Sequence, residues 1–454
     1  MRGVLIAVVG SGPAGLYAAD LLVREDERVH VDVFDRMPTP YGLVRYGVAP
    51  DHPRIKTVVR SLEKILEHPR VRFLGNTEVG IDIDAPFIER HYDAVVYATG
   101  ASTDRRLGVP GEGLRGSYSA TQFVSWYSAH PDHPESFDLR GSSAAVIGAG
   151  NVALDVGRML SKSRADLSAT EIPDQVLEQL ERSTIREVHI VCRRGPEHSK
   201  FTAKELQELL ELADVDVHVD PRDVEAADED GLPPGVRSNL STFRTLSERP
   251  ARGCGRSIRF HFWKRPIEIV GGEQVSELVL EGTQLAPDGS LRGTGERESL
   301  PTQLVLRSVG YRSSPLGWVP FDERTGTIPN DGGRIVDGGG RVVRGQYVSG
   351  WAKRGPSGVI GTNRLDSSET VKNLLSDLPD LISDEPRRRQ SLDGALAELR
   401  LRDVSYDGWR GIDAEEIRRG ASQGRTRTKI PDWESLRHHG WAATGPRKHE
   451  KERI

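Results

Sequence analysis

Apolar positions first cluster at Val4 to Val9, an unbroken run of the kind that forms an inner strand of a parallel sheet. Gly10-Ser11-Gly12-Pro13-Ala14-Gly15 follows, then a helix-like stretch from Leu16 to about Arg24. Val29 to Phe34 reads as the next strand, closing on Asp35. Strand, glycine turn, helix and strand make a complete βαβ unit. Residues 37 to 53, rich in Pro, Gly and Tyr, cannot be helix or central strand throughout. Ile55 to Glu67 is amphipathic and reads as a helix, and Ala94 to Tyr97 reads as a short buried strand closing on Ala98-Thr99-Gly100.

The pattern recurs further on. Ala144 to Ile147 is a short strand, Gly148-Ala149-Gly150-Asn151-Val152-Ala153 a second glycine turn, Val152 to Leu160 a helix, and Glu187 to Cys192 the next strand, ending at Arg193-Arg194. The connection is longer than one helix requires, so residues 162 to 183 are expected to hold an inserted helix and loop. Between 255 and 310 apolar and polar positions alternate (Ile258, Phe260, Phe262; Leu278, Leu280), which predicts antiparallel strands, and Gln303 to Val309 reads as a further strand. A helix is expected from about Ser367, and from Asp384 the chain is a charged tail.

Composition narrows the chemistry. With 454 residues, 36% apolar and 28% charged, the chain can bury cores, and its length suits roughly three domains or two large ones equally. Its 48 glycines exceed the usual ~7% and suit close backbone approaches. A net charge of −5 without a long basic block disfavours nucleic-acid binding. Cys192 and Cys254 are the two cysteines, which excludes a Cys-ligated iron–sulfur cluster and a Cys-x-x-Cys redox pair. Redox chemistry would need a bound cofactor, and no metal site is expected. No apolar run approaches the ~18 residues of a membrane span, and the apolar N-terminus runs straight into a glycine turn, as a buried strand does and a signal peptide does not. The expected location is the cytoplasm.

The first turn, with Asp35 twenty positions after Gly15, carries the dinucleotide fingerprint. Gly10 permits the tight turn, Gly12 lets the backbone approach a pyrophosphate at the helix N-terminus, and Gly15 lets helix and strand pack closely. Asp35 would accept from a ribose diol. In the second turn Gly148 and Gly150 are followed by Ala153, the looser variant of the motif. Its strand ends in two arginines, where a carboxylate would repel a 2′-phosphate and guanidiniums would bind one bidentately. An acid after the first turn and arginines after the second suggest FAD followed by NADP.

Arg36-Met37-Pro38-Thr39-Pro40-Tyr41-Gly42-Leu43-Val44-Arg45-Tyr46-Gly47-Val48-Ala49-Pro50-Asp51-His52-Pro53 resembles the long signature of the adrenodoxin reductase type of ferredoxin–NADP+ reductase. Gly150 to Asp155, Arg193 to Pro196, Phe201-Thr202 with Glu205-Leu206, and Gly350-Trp351 through Asn363 are similar to that family as well. The resemblance covers about residues 4 to 375, and Trp409 to Ile430 is similar to actinobacterial members. It implies an α/β fold of two Rossmann-like dinucleotide-binding domains, like that of glutathione reductase. Residues 1–106 and 335–454 would form the FAD domain and residues 107–334 the NADP domain.

By the same resemblance, Ala14, Asp35, Leu43, Val79, Trp351 and Gly358-Val359-Ile360 would contact FAD. Asn151, Val152, Ala153, Leu154, Arg193, Arg194, Glu205 and Gly358 would contact NADP. His52 and Glu205 match the family's polar pair near the flavin–nicotinamide contact. The implied activity is hydride transfer between NADPH and FAD, then one-electron transfer to a ferredoxin, a small acidic iron–sulfur protein. Two departures stand out: family members usually carry Glu where this chain has Asp35, and Glu197-His198-Ser199-Lys200 replaces a mostly apolar stretch. An NADPH-dependent flavoenzyme acting on a small organic substrate and a non-catalytic flavin-bound docking subunit are the competing readings.

Overall fold

The computed structural model describes residues 3–133, 136–227, 230–382 and 389–443. The chain divides into two compact units. The first comprises residues 1–103, 128–131 and 311–454, the second residues 104–127 and 132–310.

The first unit is built on a seven-stranded sheet, ordered Asn330–Asp331, Arg334–Val336, Val342–Val348, Ala94–Tyr97, Val4–Val9, Val29–Phe34 and Val71–Leu74. The last five run parallel, and the first two extend the edge antiparallel. Val4–Val9 is buried at every position because both faces are covered. Val4, Ile6 and Val8 pack with Leu16 and Leu22 of the helix Pro13–Glu25 and with Leu374 of the helix Thr362–Leu381, while Leu5, Ala7 and Val9 face the opposite core with Tyr92, Ile335 and Leu392. That double burial explains the unbroken apolar run. The second domain boundary falls at Gly310/Tyr311 rather than at 334/335, because the antiparallel strands at 330–336 complete the first sheet.

The second unit holds a six-stranded parallel sheet, ordered Ser117–Ser119, Leu304–Arg307, Ser143–Ile147, Glu187–Val191, Ser257–His261 and Asp216–His218. The alternation at 255–262 therefore belongs to a parallel strand, contrary to the antiparallel expectation. Antiparallel pairing begins at Lys264, in the three-stranded sheet Lys264–Gly271, Val275–Leu285 and Leu291–Pro301. This sheet sends Ile269, Val275, Leu278 and Leu280 onto Ala145, Ile147 and Val191 of the parallel sheet. The expected insertion contains two short helices, Arg164–Leu167 and Asp174–Glu181.

In each unit the strand before the glycine turn lies where the strand order reverses, between Ala94–Tyr97 and Val29–Phe34 in the first and between Leu304–Arg307 and Glu187–Val191 in the second. Open α/β sheets bind ligands at the carboxyl ends of strands at that switch point. The tail does more than solvate: Val404, Trp409 and Ile412 with Ile430 and Leu436 are buried in the core of the first unit.

Candidate dinucleotide sites

In the first unit the turn after Val4–Val9 is shaped by three glycines with different duties. Gly10 has φ +109°, and a Cβ on it would lie 2.4 Å from the Ala98 carbonyl oxygen. A Cβ on Gly15 would lie 2.0 Å from the Gly10 carbonyl oxygen, so the helix could not pack on the turn. A Cβ on Gly12 would meet nothing within 4 Å. Gly12 is the N-cap of Pro13–Glu25 and supplies no side-chain cap. Its space is open on the side where uncapped N–H groups and the positive end of the helix dipole favour an anion.

Other candidate residues converge on this turn from distant parts of the chain. The Tyr41 N–H donates to the Ser11 carbonyl at 3.0 Å, and a Cβ on Gly42, which has φ +49°, would come within 3.1 Å of Gly12 Cα. Leu43 follows directly, opening the one-turn helix Leu43–Tyr46. From the far end, a Cβ on Gly350 (φ +77°) would sit 2.5 Å from Ala14 Cβ, which sets Trp351 beside the start of the helix. Trp351 Nε1 donates to the Ser357 carbonyl at 3.2 Å, tying it to the loop in which Gly358 and Val359 are exposed and Ile360 packs against the core. Val79 is buried beyond the strand Val71–Leu74, in a turn joined to Asp35 by the Thr77 N–H at 2.9 Å.

Asp35 does two things at once. Its Oδ2 accepts from the Ser11 N–H at 2.8 Å and the Ser11 hydroxyl at 2.5 Å, and its Oδ1 accepts from the Met37 N–H at 2.9 Å. Burial pushes its pKa up, against these hydrogen bonds. The shorter acid thus pins the glycine turn itself, with acceptor capacity left mainly on Oδ1. His52 caps the short helix Pro53–Lys56; it is buried, with Nε2 3.8 Å from Asp51.

The second unit repeats the construction. A Cβ on Gly148 would lie 2.3 Å from the Ser308 carbonyl oxygen, whereas one on Gly150 would meet nothing within 4 Å. Gly150 is the N-cap of Asn151–Ser161, again without a side-chain cap. The Asn151 side chain accepts from the Thr202 N–H at 2.8 Å and donates to the Thr202 hydroxyl at 3.2 Å, and the Lys200 N–H donates to the Ala149 carbonyl at 2.7 Å. These bonds set the helix Ala203–Gln207, and with it Glu205, against the glycine turn. Ala153 and Leu154 are fully buried, so their side chains serve packing. Val152, one position into the helix, is half-buried.

Glu205 has a partner that sequence reasoning missed. Arg158, on the helix Asn151–Ser161 and 1% exposed, lies 2.8 Å from Asp155, 3.1 Å from Glu208 and 3.4 Å from Glu205. Its signal was its spacing: Arg158 lies one and two turns beyond Asp155 and Asn151 on one helical face. Arg193 is exposed, and its carbonyl is held by the Thr283 hydroxyl at 2.8 Å. Arg194 has a buried Nε with no hydrogen-bond partner among the described residues, a donor in want of an acceptor. Beyond the pair, His198 Nδ1 lies 2.9 Å from Glu197 and its ring meets Trp263 edge-on.

Two Rossmann-like units, each with an uncapped glycine turn at its switch point, define a two-dinucleotide oxidoreductase. Residues 5–242 match the model of the pyridine nucleotide-disulphide oxidoreductase family. The chain is 44% identical to the NADPH-ferredoxin reductase FprA of Mycobacterium tuberculosis over 95% of its own length and 97% of that protein's. It is 38% identical to the mitochondrial NADPH:adrenodoxin oxidoreductase of Arabidopsis thaliana, covering 96% and 95% of the two chains. The structure of M. tuberculosis FprA in complex with NADPH superposes with a TM-score of 0.92 at 43% identity, over 97% of this chain and all of that one. The chain belongs to the pyridine nucleotide-disulphide oxidoreductases and, within them, to the adrenodoxin reductase type of ferredoxin–NADP+ reductase. The redox disulphide in the broader family's name has no counterpart here: Cys192 and Cys254 are free, and burial raises the Cys192 pKa.

Proposed function

We propose that the chain is an FAD-dependent NADPH–ferredoxin reductase, with FAD in the first unit and NADP(H) in the second. The observation that carries this reading is the pair of uncapped glycine turns, one followed by an acid and the other by Arg193-Arg194. The residues fit their groups. Open space at Gly12 and Gly150 admits a pyrophosphate, and the orphaned Arg194 Nε with the exposed Arg193 suits a 2′-phosphate.

FAD, when bound, accepts a hydride and releases single electrons. This chain's residues supply the rest. The Asp35 Oδ1 side takes a ribose hydroxyl, while Leu43, Val79, Trp351 and Gly358 to Ile360 wall the flavin site. Arg193 and Arg194 grip the nucleotide so that the nicotinamide is held rather than searched for. Glu205, oriented by Arg158, and His52 are the polar groups of hydride transfer. Neither has to take a proton, and a carboxylate near the ring stabilises positive charge as it develops.

The partner is a ferredoxin, taken to be a small acidic iron–sulfur protein. No helix among the described residues is long and apolar enough to cross a membrane, in keeping with work in the cytoplasm. The test is anaerobic titration. Protein as purified should be yellow and bleach with NADPH, and cytochrome c reduction should then require added ferredoxin. A colourless protein sinks the cofactor reading, and full cytochrome c reduction without ferredoxin sinks the partner reading.

A further inference from the structure

The buried charge cluster of the C-terminal segment reaches the one-turn helix that lies over the first glycine turn. Arg45, on that helix, is 5% exposed, and Glu416, in the helix Tyr406–Ala421, is fully buried. The guanidinium grips the carboxylate with both terminal nitrogens, one at 3.0 Å, and lies over the rings of Tyr46 and Trp409 at 5.1 and 5.0 Å. Glu416 is itself held from behind: Oε1 accepts from the Ile430 N–H at 3.0 Å, and Arg427 stands 3.4 Å from Oε2. Lys429 donates to the Arg45 carbonyl and, at 3.4 Å, to the Ser128 carbonyl. A carbonyl at the end of a one-turn helix has no intrahelical acceptor role to fill, so the ammonium takes it. Burial alone would lower the Arg45 pKa, but Glu416 outweighs it and keeps the guanidinium charged.

The segment so gripped is under constraint. Tyr41 has φ +83°, a conformation a non-glycine residue holds only when its surroundings impose it. On one side the Tyr41 N–H is bonded to Ser11 and a Cβ on Gly42 would crowd Gly12; on the other the Tyr41 ring meets Trp409 edge-on at 5.8 Å. The geometry points to Glu416 and Lys429 as positioning residues for FAD, which hold Tyr41, Gly42 and Leu43 over the glycine turn through Arg45. This rests on the assignment of FAD to the first unit. The C-terminal segment is then the back wall of the flavin cradle, supplied from 371 residues away in sequence.

The test uses the purified holoenzyme, with Glu416→Gln and Lys429→Met. The second variant leaves the Arg45–Glu416 pair in place and keeps the question open to test should the first fail to fold. FAD release on dilution, read as the rise of free-flavin fluorescence, should quicken on the order of tenfold or more in both, the scale of a lost hydrogen bond to a charged group. The fine structure of the long-wavelength flavin absorption band should blunt. Affinity for 2′,5′-ADP, a probe of the second unit, should stay within about twofold, less than one neutral hydrogen bond contributes. Wild-type release and an unchanged flavin spectrum in either folded variant would overturn the inference. So would parallel loss of 2′,5′-ADP binding, which would make the cluster a support of the whole chain. Wild-type protein isolated without FAD would instead overturn the cofactor assignment, before any variant is compared.

Discussion

In the proposed reading, Arg193 and Arg194 carry the choice between the two nicotinamide nucleotides. Arg193 is exposed and Arg194 keeps a buried, unbonded Nε, so neither guanidinium is spent on the protein in the way that Arg45 is. Each charge-assisted contact to a 2′-phosphate contributes roughly 1.5–3 kcal/mol. Replacing either with Ala should therefore weaken NADPH on the order of ten- to a hundredfold and leave NADH almost unchanged; equal losses for both nucleotides would show that the pair does not read the phosphate. Glu205 and His52 pose a different test. Glu205→Gln keeps the shape beside Arg158, and His52→Ala empties a buried position, so both should retain FAD. Flavin bleaching by NADPH in a stopped-flow instrument should slow on the order of ten- to a thousandfold, the upper end being one well-placed electrostatic group. Wild-type rates would make both residues structural. The two glycine turns were legible because close backbone approach constrains residue type at fixed spacing; the ribose reading of Asp35 and the phosphate reading of the arginine pair are proposals with their own tests. Arg158 was not legible, since of its three carboxylates only Asp155 shares its own periodic face, while Glu205 and Glu208 come from a distant part of the chain.

Among the elements, those of the two βαβ units were legible to within a few residues. Val4–Val9, Val29–Phe34 and Ala94–Tyr97 are the strands expected; burial on both faces leaves a plain apolar signature in the first and third, while Val29–Phe34 alternates, its buried Asp32 paired with Arg72. Ile55 to Glu67 breaks into Pro53–Lys56 and Val59–Leu66, and Ser257–His261 pairs in parallel although its pattern alternates. Alternation reports one wetter face, and says nothing of strand direction. That strand also sets a titration. His189 Nδ1 and His261 Nε2 lie 3.0 Å apart on adjacent parallel strands. Desolvation, then the neighbouring His261 and Arg259, depresses the His189 pKa to about 3, and desolvation lowers that of His261 too. A histidine depressed in the folded state is protonated first in the unfolded one, so stability is held above pH ~6.5 and lost as pH falls below it. By pH ~4.5 the loss should approach about 3 kcal/mol for His189. Denaturant unfolding between pH 4 and 7 should show this slope, and His189→Leu should flatten it; an unchanged slope would place the acid sensitivity elsewhere.

At the scale of the whole molecule, charge would set how a ferredoxin that is acidic, as proposed, meets an acidic chain. The net charge of −5 repels such a ferredoxin at long range, so approach depends on where positive charge is left uncancelled. Six arginines fall between 237 and 259, and the structure sorts five of them. Arg252 and Arg259 lie 3.5 Å from Asp216 and Glu187, which offset them. Arg237, Arg249 and Arg256 donate instead to backbone carbonyls of Leu232, of Leu210, and of Ser161 and Lys162, and a carbonyl satisfies a guanidinium without neutralising it. Among the described residues, Arg237 and Arg249 are thus cations held by carbonyls, in a chain that is negative overall, while Arg256 also feels Asp166. Steering of this kind raises association rates by roughly tenfold or more and is screened over about 8 Å at physiological salt. Ferredoxin-dependent turnover should fall steeply as salt rises, while reduction of a neutral quinone by the same preparation should hardly change. Arg237→Glu, an exposed change on the helix Pro234–Glu248, should lower the ferredoxin rate at low salt and flatten its salt profile without touching quinone reduction. Parallel salt profiles for the two acceptors, or a wild-type ferredoxin rate in Arg237→Glu, would move the docking face away from these arginines.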